Sequence, residues 1–247
     1  MVYDIDGPRV RLGMLWFFIA CAALLFGPVA LAVVYGLVAA VAAAQTATAF
    51  RKIGRRASRE AAAVTAGLLP LVATVTTGLL GLAILVGVGV SVFLAVSGAT
   101  RSRRATPVEV AGLTVRCWLF VGFAAACVIV SDRFAIGGGV GLVLLASAYE
   151  TGDFIIGSGA RNPYEGPVAG AAAILVVTFA ITALGIEPFT FPESFALGAM
   201  AAVLCPIGQL VGSAVLPSVT ARAPALRRLD SLLVLAPAWA LVVGRLV

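Results

Sequence analysis

Two charge-free apolar runs decide what this chain can fold into. Leu12 to Phe50 is 39 residues without an acid or a base, and Ala61 to Thr100 is 40. A bilayer core about 30 Å thick is crossed by about 20 helical residues, so each run holds two crossings. The composition agrees: 62% of the 247 residues are apolar, 11% are charged, and the mean hydropathy is +1.11. A soluble enzyme, a secreted disulfide scaffold and a disordered chain are therefore excluded. The first run continues through Gly27-Pro28 with no small-residue cleavage site, so no signal peptide is expected.

Backbone polar groups cannot be left unpaired in hydrocarbon, and the uninterrupted runs select helices over a barrel. Helices are expected at about residues 12–26, 29–49, 61–77, 79–99, 110–131, 134–157, 166–185, 194–217 and 229–247. The expectation is an all-α polytopic membrane protein with nine crossings, the first of them short. It divides into a short N-terminal segment (1–11), helices over 12–131, and C-terminal helices over 132–247 that carry the candidate site.

Basic residues test this count, because cytoplasmic loops collect Lys and Arg. With the N-terminus inside, the inner segments hold Arg9, Arg11, Arg51, Lys52, Arg55, Arg56, Arg59, Arg101, Arg103, Arg104, Arg161, Arg222, Arg227 and Arg228, which is fourteen of the 17. The outer segments hold only Arg133 and Arg245, and Arg116 lies within the fifth helix. The expected location is thus the cell's inner or plasma membrane, with a cytoplasmic N-terminus. The net charge of +6 is a topology signal first and an attraction to anionic headgroups or phosphorylated substrates second. Nucleic acid is not an expected partner, since the Arg clusters lie in short loops without interleaved aromatics.

Absences remove whole chemistries. There is no histidine, which excludes imidazole catalysis, Ser-His-Asp triads and His-ligated metals. The only lysine, Lys52, has no P-loop around it. Cys21, Cys117, Cys127 and Cys205 are scattered through apolar segments and read as buried hydrophobes. Gly166/Gly170 and Gly208/Gly212 have the four-residue spacing of close helix packing. Gly137-Gly138-Gly139 follows no strand and is not a nucleotide fingerprint.

Ionisable residues within membrane helices are costly and point to sites. Glu150 and Asp153, in YETGDF, are three apart and share a helix face. Two such carboxylates repel unless a cation, an arginine or a proton joins them. Arg161, Asn162 and Glu165 follow in the next inner loop. Gln209 and Ser213 lie in the inner half of the eighth helix, and Arg222, Arg227, Arg228 and Asp230 bracket the inner start of the ninth. These groups are expected to build a polar pocket on the inner face, with Asp230 in the first helical turn, where an anion is favoured without any metal. Arg116 is either a snorkelling side chain or a counter-ion to one of the acids.

These segments resemble a family. FGPVALAVVYGLVAAVAAAQTATAFRKIGRR is similar to the early helix pair and basic loop of the phosphatidate cytidylyltransferases (CDP-diacylglycerol synthases). YETGDFIIGSG resembles their Asp-Thr-Gly-Ala-Tyr segment, NPYEGPVAG their Lys-Thr-Trp-Glu-Gly segment, and IGQLVGSAVLP with LRRLDSLLVLAP the paired terminal stretches Gly-Asp-Leu-x-x-Ser and Leu-Asp-Arg-x-Asp-Ser. The likeness covers roughly residues 26–60 and 140–247. It implies transfer of CMP from CTP to phosphatidic acid at a cytoplasmic-facing site, with magnesium held by Glu150 and Asp230 and with Asp153 replacing one of the family's lost acids. Arg161, Asn162, Glu165, Gln209, Ser213, Arg227, Arg228 and Ser231 would contact substrate, and a homodimer is implied. Glu150 stands at the first Asp, Glu165 and Ser213 keep their family residues, and Arg228, Asp230 and Ser231 keep the end of the signature. Gln209 and Arg227 replace two of the family's acids, Leu216-Pro217 stand in place of a Lys-Arg pair, and the Lys-Asp and His-Gly-Gly stretches are missing. Asp153 is an acid the pattern does not supply. Two other readings stay open beside this one, a non-catalytic lipid-binding relative and a small membrane transporter, the latter disfavoured by the lack of internal repeats.

Overall fold

The computed structural model describes residues 8–99, 106–218 and 220–247, and gives the backbone alone for residues 8–12 and 99. The expectations placed on Arg101, Arg103 and Arg104, and on residues 1–7, lie outside the described residues. The described residues form nine α-helices: α1 (Pro8–Phe26), α2 (Pro28–Lys52), α3 (Arg59–Ala73), α4 (Thr77–Ala99), α5 (Pro107–Phe134), α6 (Ile136–Gly157), α7 (Glu165–Leu184), α8 (Phe191–Val215) and α9 (Leu232–Leu246). A single 3₁₀ turn, Leu226–Arg228, precedes α9, and no strand occurs among the described residues. Seven helical segments are long and apolar enough to cross a membrane. α1 contributes a shorter apolar stretch, Gly13–Phe26, and α3 has only 15 residues.

Helix ends fall where capping chemistry puts them rather than where hydropathy changes. Among the described residues α1 is helical from Pro8 on. Thr106 caps α5 by accepting from the Glu109 N–H at 3.3 Å, and Thr190 with Glu193 closes a capping box on α8. At the α1–α2 corner Gly27 takes φ 95° ahead of Pro28, a left-handed conformation that a side chain resists. The ninth helix starts three residues later than expected.

α5 is the central helix and packs against α2, α3, α4, α6 and α9. Its Trp118 is fully buried and donates from Nε1 to the Ser91 hydroxyl of α4 at 3.1 Å. α2 and α3 cross closely, since a Cβ on Gly36 would stand 2.7 Å from the Gly67 carbonyl oxygen. α4 and α7 lie outermost and present Leu85, Phe93, Val176 and Phe179 outward. Such exposure is what lipid-facing helices require.

Contacts between helix ends show that successive helices run in alternating directions. At one end the Ser58 N–H donates to Thr114 Oγ1 at 3.0 Å, and the Ala225 N–H to Gln45 Oε1 at 3.0 Å. At the other, Arg133 donates to the Ala73 carbonyl at 2.9 Å and Trp239 Nε1 to the Gly138 carbonyl at 2.9 Å. Every described loop that carries several basic residues lies at the first end, called here the basic face. The fold is that of an all-α integral membrane protein.

Candidate functional site

α6 turns Glu150 and Asp153 inward from one face. Asp153 is 6% exposed and accepts from Gln209 Nε2 of α8 at 3.1 Å; Tyr149 in turn donates from its hydroxyl to Gln209 Oε1 at 3.3 Å. Glu150 accepts from the Ser231 hydroxyl at 2.6 Å. The same serine donates its backbone N–H to Asp230 Oδ1 at 2.8 Å, and Asp230 Oδ2 pairs with Arg227 at 3.3 Å. Arg227 Nη1 also donates to Ser213 of α8 at 3.0 Å. Glu150, Asp153, Gln209, Ser213, Arg227, Asp230 and Ser231 are thus gathered where α6, α8 and the turn before α9 meet.

Glycines allow this approach. A Cβ on Gly212 would stand 2.7 Å from Asp230 Cβ, and one on Gly208 would collide with the Asp230 carbonyl oxygen. The pair at four-residue spacing makes a flat strip on α8 on which the 230–231 turn lies. Gly166 and Gly170 do the same on α7, facing Asp153 and Tyr149. Both pairs therefore act in close packing, as their spacing indicated.

Several expected members stand elsewhere. Arg161, Asn162 and Glu165 are exposed in and after the α6–α7 loop and do not join the cluster. Their proximity in sequence to the inner end of α6 suggested a shared pocket, but the loop projects away from the helix bundle's interior. Asp230 is not in the first turn of α9. It precedes the cap residue Ser231, because the 3₁₀ turn folds the segment back toward α8 and leaves Asp230 outside the helix. Arg116 is not a counter-ion to an acid: it donates to the Ala214 carbonyl near the C-terminus of α8, and its guanidinium lies 5.3 Å over the Phe50 ring. Arg228 reaches α1, its Nη1 3.2 Å from where a Cβ on Gly13 would be, and its charge also acts on Glu150, so it borders the cluster. Two contributors were missed. Tyr149 was readable as a polar tip within a membrane segment, and Gln45 as the lone amide of α2.

The acids of the cluster are engaged by protein partners. Among the described residues no three of Asp, Glu or Cys form a group that could hold a metal ion. The three acids point to separate protein partners instead of one vacant point: Glu150 to Ser231, Asp153 to Gln209, and Asp230 to Arg227. One carboxylate oxygen, Asp153 Oδ1, is buried without a hydrogen-bond partner. Compared with known proteins, the sequence matches no family model and no curated protein.

Proposed function

We propose that this chain is an integral membrane protein of phospholipid metabolism, built like a phosphatidate cytidylyltransferase, in which the metal-holding acids have become a network held by protein side chains that binds without transferring cytidylate. One observation carries this reading. Gln209 and Arg227, the two residues that stand where the family pattern has acids, are the ones that satisfy Asp153 and Asp230. A divalent cation offsets repulsion between clustered carboxylates. Here a guanidinium pairs with one of these carboxylates and an amide donates to another, so both have protein partners without an ion. Its function is then binding and assembly at the basic face, which the arginine asymmetry assigns to the cytoplasm.

The second reading is catalytic: CTP and phosphatidic acid react to give CDP-diacylglycerol and diphosphate, with magnesium. Asp153 Oδ1 favours it, because a buried carboxylate oxygen without a partner is a place where a proton, an ion or a ligand group is expected. Turnover separates the two readings. The purified chain in vesicles containing phosphatidic acid, given labelled CTP and magnesium, is expected to form no more CDP-diacylglycerol than protein-free vesicles. Steady product formation that Asp230→Asn abolishes would establish the catalytic reading and overturn the first.

A further inference from the structure

A cavity of 510 Å³ opens at the basic face, away from the acid cluster, between the end of α2, the start of α3 and the 217–224 segment. Lys52, Arg59 and Arg222 line it, and no acid does. None of these three cations makes a hydrogen bond or ion pair among the described residues. From the rim it runs along α2 past Ala49, Thr48, Gln45 and Ala44, and only its far end, at Ala44 and Val41, is apolar. Lys52 and Val41 are eleven residues apart on one helix, about 16 Å at ~1.5 Å per residue. The cavity therefore descends from a cationic rim well into the membrane-spanning part of α2. Its deep end meets the outer surface, where Val41 is 49% exposed and Leu37, one turn further, is 63% exposed.

We propose that this cavity is the seat of an anionic phospholipid of the surrounding bilayer, with its phosphate among Lys52, Arg59 and Arg222 and one acyl chain laid along α2 past Val41. A soluble phosphate compound would need the cationic rim alone. The apolar far end and its opening at the lipid-facing surface are what a chain requires, and the rim sits at headgroup depth, where each cation contributes to holding an anionic lipid. Binding here steadies the segment that carries the acid cluster's arginine: Gln45 lines the cavity and accepts the Ala225 N–H at 3.0 Å, two residues before Arg227. The site is independent of whether the chain transfers cytidylate, because none of its residues belongs to the acid cluster.

Native mass spectrometry of the full chain, released from zwitterionic detergent after titration with phosphatidylglycerol or phosphatidylcholine, tests this. One phosphatidylglycerol per chain is expected to bind in preference to phosphatidylcholine. Lys52→Gln/Arg59→Gln/Arg222→Gln should weaken it on the order of 100-fold, at roughly 5-fold per cation, while Arg245→Gln at the opposite end leaves it unchanged. Val41→Trp, which fills the deep end and keeps every charge, should also weaken it. If the triple variant does not fold, Arg222→Gln alone should show the single-cation loss of roughly 5-fold. Equal binding of the two lipids, or full retention by the folded charge variants, overturns the proposal. So does saturable binding of inorganic phosphate alone that Val41→Trp leaves intact, since it would assign the cavity to a soluble anion.

Discussion

Gln209 holds Asp153 from one side only, so the two substitutions that break this contact should differ in cost. Gln209→Leu leaves a carboxylate 6% exposed with no partner on either oxygen. The expected destabilisation is about 2–3 kcal/mol, the cost of stranding a buried polar group. Asp153→Asn keeps an amide-to-amide hydrogen bond and should cost less than ~1 kcal/mol, near the mean for hydrogen bonds between membrane helices. Thermal unfolding in one detergent checks the order, and a larger loss for Asp153→Asn would contradict the structural role of the pair. Much of this cluster was readable at residue scale. Glu150 and Asp153 share a face because they are three apart, and neither could face lipid unpaired. Gln209 and Arg227 stood out as departures from an acidic pattern. Their pairing was not readable, because Gln209 and Asp153 are brought together by the crossing of α8 over α6 and not by any local spacing. Of the two readings of Arg116 the counter-ion one falls away, because its partner is a backbone carbonyl, which every residue carries and no sequence marks.

Helices were legible as elements because the bilayer imposes their length, and all nine expected ones are present. Their ends were less so. Threonine caps followed by proline lengthen α5 and α8 at their N-termini beyond the apolar runs, and the 3₁₀ turn at Leu226–Arg228 shortens α9. That turn brings Asp230 and Ser231 back onto α8, so a site residue was misplaced because an element boundary was. The glycine strip beneath it gives a prediction at this scale. Gly212→Val inserts a side chain against Asp230 Cβ and should cost about 1–3 kcal/mol, the range for overpacking. Gly81→Ala, with nothing within 4 Å of its new methyl, should be tolerated or should stabilise α4 slightly. A thermal shift of similar size for both variants would show that the turn does not rest on α8 as described.

Across the described residues, the alternation of helix directions places every basic loop at one face, in keeping with the arginine pattern. A single cysteine at position 55, in a chain whose four natural cysteines are replaced, should react with an impermeant thiol reagent only from the cytoplasmic side. Labelling from outside would invert the topology. The candidate site lies at that same face, and the holding of its acids by protein side chains, not by a metal ion, is the central claim. Manganese is the direct probe, since its free ion is counted by electron paramagnetic resonance and it occupies the oxygen sites that magnesium uses. Purified chain should take up no manganese saturably below the millimolar range. Gln209→Asp/Arg227→Asp, which restores acids at the two departed positions, should acquire a site. Stoichiometric micromolar binding by the unaltered chain, lost in Asp230→Asn, would contradict the account and make the acid cluster a metal centre.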